Sequence, residues 1–269
     1  MHFTLLSTQQ QTELERALAQ QQGRVLALEL AGEAVIVKRQ EGRNRPLAYS
    51  LLNLLARSLR QPLLCAVPAP GGAAGQAIEA RRLQTLHAAG VLVPELLAAQ
   101  PGYLVMRNVG KTSIDHLLAH QPADQRKVWL AGLNAILATH RCGQALSQAF
   151  ARNIIFHAGQ VHFIDFEDDP LSVLSLAEAQ SRDWLFYLHS TSYLLRAGPA
   201  EQAQLLARYL RQDDPTVQQL VARSASTLAW LRHLPKQRKP WGRDVISLQG
   251  AAATLHAYRC LDVPGPLAP

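Results

Sequence analysis

Cysteine is scarce in this chain: only Cys65, Cys142 and Cys260 occur, scattered, odd in number and without a Cys-x-x-Cys pair. That excludes a disulfide framework and a cysteine-rich zinc module, and it favours a reducing compartment. Long apolar runs are missing as well. A bilayer-spanning helix needs about 18 or more uninterrupted apolar residues, and the nearest approach, residues 46–67, is broken by Arg57, Arg60 and Pro62. The N-terminus lacks a basic start followed by an apolar core and runs into the glutamine-rich stretch from Gln9 to Gln22, which speaks against a secretory signal. The expectation is a cytoplasmic protein that at most touches a membrane surface. Aromatics make up 6% of the residues and do not interleave with the basic ones, so a nucleic-acid surface is not expected. Charged residues make up 17% against 48% apolar ones, which identifies a globular chain and excludes a disordered one. The 269 residues suffice for one large domain or two modest ones. The charge sum, 27 basic minus 20 acidic, is +7.

Along the chain, residues 10–22 read as a polar surface helix stopped by Gly23. Val25–Leu30 and Ala34–Arg39 are strand-like runs, and the Ala-Gly-Glu turn between them predicts a β-hairpin. Pro46 can open a helix whose leucines at 47, 51, 54, 55 and 59 recur at helical spacing. The breaker Pro68–Gly72 precedes a second helix over about 74–89, and after Pro94 a Pro-Gly turn at 101–102 leads into a strand over 103–106. From Ser113 onward the pattern is helical, over 113–120, 123–141, 183–196, 199–212, 214–233 and 244–260. One hairpin interrupts it, with strands at 153–156 and 161–166. The plan is α+β and two-lobed, strand-rich to residue 108 and mainly helical over 109–269, with the junction near 107–112.

Four polar residues stand at strand ends or on helix faces beside apolar neighbours. Lys38 ends its strand, Glu79 lies on the helix after the Pro-Gly breaker, Asn153 opens the late hairpin and Asp165 sits inside its second strand. A lysine in a half-buried strand requires an anionic partner, and an aspartate in an apolar strand requires a cation or several donors. Plainer readings stand beside two of these and beside Asp183: Lys38 as a snorkelling strand end, Glu79 as the i,i+3 partner of Arg82, and Asp183 as a capping residue near a helix start.

Taken in order, these residues resemble the motifs of the protein-kinase-like superfamily. Ala34-Val-Ile-Val-Lys38 is similar to its strand lysine, and Glu79 falls where the partner helix carries a glutamate. Asn153-Ile-Ile-Phe and Phe163-Ile-Asp-Phe-Glu167 resemble its metal-binding Asn and Asp pair, and Tyr103 to Gly110 its hinge strand. Ser113-Ile-Asp-His-Leu-Leu resembles the short helix after the hinge. Arg182-Asp183-Trp-Leu resembles the helix whose aspartate ties down the catalytic loop. Among the branches, residues 25–200 look most like the small bacterial kinases of lipopolysaccharide sugars, the Kdo and heptose kinase group; aminoglycoside and choline kinases are a remoter likeness. The resemblance implies an ATP- and Mg²⁺-dependent phosphotransferase acting on a hydroxyl, with a sugar of the lipopolysaccharide core as acceptor and a place in the cytoplasm or at the inner membrane. It implies that Lys38, oriented by Glu79, holds the α/β-phosphates, that Met106 and Asn108 meet the nucleotide, that Asn153 and Asp165 hold Mg²⁺ and that Asp183 supports the loop. Glu167, Asp168 and Asp169 thicken the acidic edge.

Two departures accompany the resemblance. The catalytic aspartate expected five residues before Asn153 is Gln148, which can orient a hydroxyl but cannot take its proton. The Gly-rich phosphate loop is absent, with Gly23 and Gly32 the only glycines nearby. Both departures fit a rival reading, a pseudokinase that keeps the fold as a binding or scaffolding module. Gly110-Lys111-Thr112 imitates the tail of a P-loop, but the glycine required five positions earlier is Val105. His116 and His120 share a helix face without a third ligand, and Ser147 lacks a Gly-x-Ser-x-Gly setting. The strongest charge cluster is 232–243, where five of twelve residues are Lys or Arg beside Trp241. It reads as a solvated linker or as an anion-binding patch for a phosphorylated glycolipid, an anionic membrane surface or, less attractively, nucleic acid.

Overall fold

The computed structural model describes residues 3–40, 63, 65, 67–237 and 239–261. The expected helix over 47–59 and Arg238 of the basic segment lie outside the described residues. Strand β1 (Phe3–Thr4) precedes helix α1 (Thr8–Gln20), whose first turn is closed by a capping box between Ser7 and Gln10. The hairpin of β2 (Val25–Leu30) and β3 (Glu33–Arg39) turns on Ala31 and Gly32, both at positive φ (49° and 82°), the backbone of a tight two-residue turn that matches strand twist. Helix α2 (Gly72–Ala88) leads to β4 (Leu96–Gln100) and β5 (Tyr103–Arg107). The five strands form one antiparallel sheet in the order β1-β4-β5-β3-β2. The architecture is therefore α+β, as expected.

Strand alternation decides what each sheet face carries. Val35 and Val37 point to one face, where they are fully buried with Leu26, Leu30 and Val105 beneath Leu14 of α1. Ile36 and Lys38 take the other face, opposite Met106 and Leu104 of β5. Those two belong to a second core shared with Leu83 and Leu86 of α2. This second core runs without a break into the helical part of the chain.

The helical part consists of α3 (Ile114–His120), α4 (Gln125–Arg141), α5 (Leu176–Thr191), α6 (Pro199–Leu210), α7 (Pro215–Leu228) and α8 (Arg243–Arg259). Strands β6 (Ile154–His157) and β7 (Gln160–Phe163) form the inserted hairpin. Two backbone links fasten that hairpin to the sheet region: Phe163 N–H donates to Leu92 O at 3.0 Å, and Phe156 N–H to Thr112 O at 3.0 Å. A bridge between Ser113 and Ile155 adds a third. Gly110 makes the close approach possible, since it sits at φ 121° and a Cβ there would lie 2.9 Å from the Cβ of His157.

Several boundaries differ from expectation. Strand β7 ends at Phe163, so Asp165 lies beyond the strand at φ 72°, a left-handed backbone that cannot continue a pleat. Helix α5 starts at Leu176, capped by a box between Ser175 and Glu178, which places Asp183 mid-helix, so it does not act as a cap. The helix expected over 214–233 stops at Leu228 and tightens into a 3₁₀ turn over Ala229–His233.

The helical core is anchored by aromatic side chains with satisfied polar tips. Trp129 Nε1 donates to Thr191 Oγ1 at 3.0 Å, and Tyr187 OH donates to Trp129 O at 2.9 Å. The hydroxyl end of Tyr187 packs against Gly132 of α4, where any Cβ would overlap its hydroxyl and ring. Gly132→Ala should therefore destabilise the protein by about 1–3 kcal/mol, the cost of overpacking, even though alanine favours helix by ~1 kcal/mol on an open surface. Denaturant titration of the variant checks this; a rise in midpoint would contradict the packing described.

Candidate active site

The sheet face that carries Ile36 and Lys38 opens onto a cleft of about 430 Å³. Its apolar wall comprises Ile36, Met106, Ile155 and Ile164, and its polar end comprises Lys38, Glu79, Asn153 and Asp165. The side chains of all four polar residues singled out from the sequence thus meet at one opening.

Lys38 is the centre of the cluster. Its Nζ lies 2.8 Å from Glu79 Oε1 on α2, 2.8 Å from Asp165 Oδ1 after β7 and 2.8 Å from Glu167 Oε1. Arg24 closes the group through Glu167. Burial pulls the Lys38 ammonium toward neutrality, but the charges of Glu79 and Asp165 and the bonds to Asp165 and Glu167 outweigh it and hold the pKa well above the usual lysine range. Burial pushes the Glu79 carboxyl up, with Lys38 opposing. Among the described residues, Lys38 and Arg24 here face Glu79, Asp165 and Glu167. The plainer pairing of Glu79 with Arg82 does not occur: Glu79 reaches Lys38, and Arg82 Nη2 donates to Ala145 O instead.

The loop from Ala145 to Asn153 is held from several sides. Leu146 N–H donates to Asp183 Oδ2 at 2.7 Å, and Ala151 N–H to Ser190 Oγ at 2.9 Å. Asn153 Nδ2 donates to Gln148 O at 3.4 Å, while Asn153 O accepts from Ile164 N–H at 2.9 Å. That last bond ties the loop to the segment bearing Asp165. Among the described residues other than glycine, Ala31, Ser147, Ala158 and Asp165 have positive φ. The two alanines occupy hairpin turns, where that backbone is required. Ser147 and Asp165 do not: Asp165 lines the cleft and Ser147 lies buried in the loop that leads to Asn153, and non-glycine residues held in this region cost of order 1–3 kcal/mol each and cluster at functional sites.

The other expected residues fall as follows. Met106 lies mid-strand between β3 and β4, paired with Ile36 and Leu96, so its side chain, and no free backbone edge, faces the cleft. Asn108 spends its amide N–H on Ala34 O and its Oδ1 on Gly110 N–H at 2.9 Å, which shapes the turn. Val109 to Lys111 line the opening beyond it. Gln148 donates from Nε2 to Asp168 Oδ2 at 2.9 Å. Asp168 is 5% exposed, and burial pushes its carboxyl up, against the bond from Gln148 and the charge of Arg182. His116 and His120 stack on each other, and His120 Nδ1 contacts His116 O; among the described residues no group of three or more His, Cys, Asp or Glu is set to enclose a metal. The donor pair Asn153 and Asp165 consists of hard oxygens, the type that magnesium takes while keeping water and phosphate ligands.

Arg24, Arg82 and the contact between Gln148 and Asp168 were not legible beforehand. They join residues remote in sequence, and no local spacing announces them. Neither a family model nor a curated protein matches the chain.

Behind the loop, Asp183 is fully buried and shares His140 with Asp213, at 3.4 Å from Nε2 and 2.7 Å from Nδ1. Burial pulls the His140 pKa down, but the two carboxylates outweigh it and raise it above the ordinary imidazole value. Burial pushes Asp213 up, and the bonds from His140 and Trp184 more than reverse this. A raised folded-state pKa gives stability that is fully present below the unfolded value, near 6.5, and lost as pH rises through the folded value. Denaturation midpoints of the native chain should therefore fall as pH rises above that point, and His140→Gln should flatten this slope. Equal slopes for the two proteins would exclude His140 as its source.

Proposed function

We propose that the chain is a two-lobed, protein-kinase-like phosphotransferase that moves the γ-phosphoryl group of ATP to a hydroxyl. Residues 1–108 form the nucleotide lobe and 109–269 the metal and acceptor lobe. By its resemblance, the acceptor is a sugar of the lipopolysaccharide core. The observation that carries the reading is the ammonium of Lys38, bonded at 2.8 Å both to Glu79 and to Asp165 at the polar end of a cleft with an apolar wall. Phosphoryl transfer requires little covalent help from protein; it needs charge neutralisation and in-line placement.

The flat apolar wall of Ile36, Met106, Ile155 and Ile164 suits a purine ring. Lys38, oriented by Glu79, meets the α/β-phosphates. Asn153 and Asp165 would hold Mg²⁺, which when bound neutralises charge on the phosphate oxygens. The acceptor oxygen forms a bond to the γ-phosphorus while the bond from that phosphorus to the β,γ-bridging oxygen breaks. ADP leaves with the electron pair, and the hydroxyl proton passes to an oxygen of the transferred phosphoryl group, because Gln148 cannot accept it.

At free nucleotide about 100 times the Kd, binding should add ~2.7 kcal/mol of stability, a rise in Tm of roughly 5–10 °C for a chain of this size. Asp165→Ala should lose most of that rise. No rise for the native protein with Mg·ATP, or an equal rise for the variant, defeats the nucleotide reading. One residue favours a second reading: Gln148 in place of a carboxylate suits a pseudokinase. Binding without turnover in the native protein, with turnover appearing in Gln148→Asp, selects it.

The basic segment supports an anionic surface as partner. Lys236 and Lys239 are exposed, and the exposed Trp241 beside them suits a water–lipid boundary. Liposomes containing anionic lipid should co-sediment the native protein, and Lys236→Glu with Lys239→Glu should release it. Binding indifferent to lipid charge would remove this partner.

A further inference from the structure

Gln148 stands where a carboxylate is expected, and its surroundings show which end of its amide is free. Its backbone is fixed on both sides: the preceding Ser147 is held at φ 75°, and Gln148 O accepts from Phe150 N–H at 2.7 Å and from Asn153 Nδ2 at 3.4 Å. Its side-chain nitrogen donates to Asp168 Oδ2 at 2.9 Å. An ionised carboxylate only accepts, so it selects the nitrogen end of the amide and turns the oxygen end away. Among the described residues no donor is paired with Gln148 Oε1, and the side chain is only half-buried. Asp168 itself is buried, and its second oxygen, Oδ1, has no hydrogen-bond partner among the described residues. The Ser147 hydroxyl and the Arg182 charge also favour the ionised carboxylate, and a buried carboxylate held in that form keeps the amide it accepts from in one orientation.

We infer that Asp168 is a positioning residue that locks the Gln148 amide with Oε1 presented to the acceptor hydroxyl. The inference rests on the phosphotransferase reading above. Gln148 Oε1 accepts a hydrogen bond from that hydroxyl and aims its oxygen lone pair at the γ-phosphorus, without removing the proton. The pair divides between two side chains what a single carboxylate does elsewhere: Asp168 holds the charge and Gln148 makes the contact. A carboxylate at 148 would instead face Asp168 across a like-charge contact.

The test uses the full chain with Mg·ATP, and water as the acceptor. Asp168→Asn should slow ATP hydrolysis by on the order of tenfold to a hundredfold, the scale of a misplaced reacting group, without changing the thermal shift produced by Mg·ATP. Gln148→Asp alone should be no faster than native. The exchange variant, Gln148→Asp with Asp168→Asn, restores one amide–carboxylate bond in the reverse sense and should return to within a few-fold of native. A readout apart from activity is the NMR signal of the Gln148 side-chain NH₂: one of its protons should lie downfield in the native protein and move upfield in Asp168→Asn. Should that variant fail to fold, Gln148→Met, with Asp168 in place, should show the same loss of turnover.

An unmoved Gln148 signal, an exchange variant as slow as Asp168→Asn, or native turnover in Gln148→Met overturns the inference. A Gln148 signal that moves as expected in a protein showing no Mg·ATP shift overturns the catalytic role through the nucleotide reading itself, while the contact stands.

Discussion

The ammonium of Lys38 is the interaction on which the rest of the site depends. It is placed by a strand, but its partners come from α2 and from the segment after β7, so one cation fixes three elements relative to one another. An unpaired buried ammonium costs several kcal/mol, so this sheet face is stable only if α2 and the late hairpin are brought up against it. The backbone links from Leu92 and Thr112 to the hairpin do this mechanically. The shared core beneath them, from Leu83 and Met106 to Phe163 and Trp184, does it by burial. The fold and the site are therefore one energetic unit.

A second layer holds the loop that faces Lys38. Asp183, Arg82 and Ser190 each bond a backbone group of that loop. None of the three is part of the Lys38 cluster. Their work is to hold Ser147 and its neighbours in a conformation the chain would otherwise leave. Buried polar groups bonded to backbone in this way confer rigidity more than stability. His140 sits between two carboxylates and holds Asp183 through Oδ2, the same oxygen that accepts from Leu146 N–H.

Much of this was legible because period and punctuation are local properties. The alternation in Ala34 to Arg39 put Lys38 on the face opposite Val35 and Val37, and the Gly-containing turns located both hairpins. The order of Lys38, Glu79, Asn153 and Asp165 identified the side chains that meet. Boundaries were less secure where backbone geometry overrode pattern. Phe163-Ile-Asp-Phe looks like continuous strand, yet Asp165 turns out of it, because its left-handed backbone serves Lys38 and not the pleat. Helix α5 was placed seven residues late although Ser175 and Glu178 spell a capping box. Met106 and Asn108 line the cleft, and the backbone and side-chain groups they were expected to offer are used within the sheet and the turn.

By itself the sequence determined the α+β plan, the strand that carries Lys38 and the face it takes, since side-chain periodicity and turn chemistry act over a few residues. Only the tertiary structure decided which carboxylates the ammonium meets, that Arg82 leaves Glu79 for the loop, and that Gln148 leans on Asp168. Those choices depend on distances between segments tens to more than a hundred residues apart, set by the packing of the shared core and by no local preference of the chain.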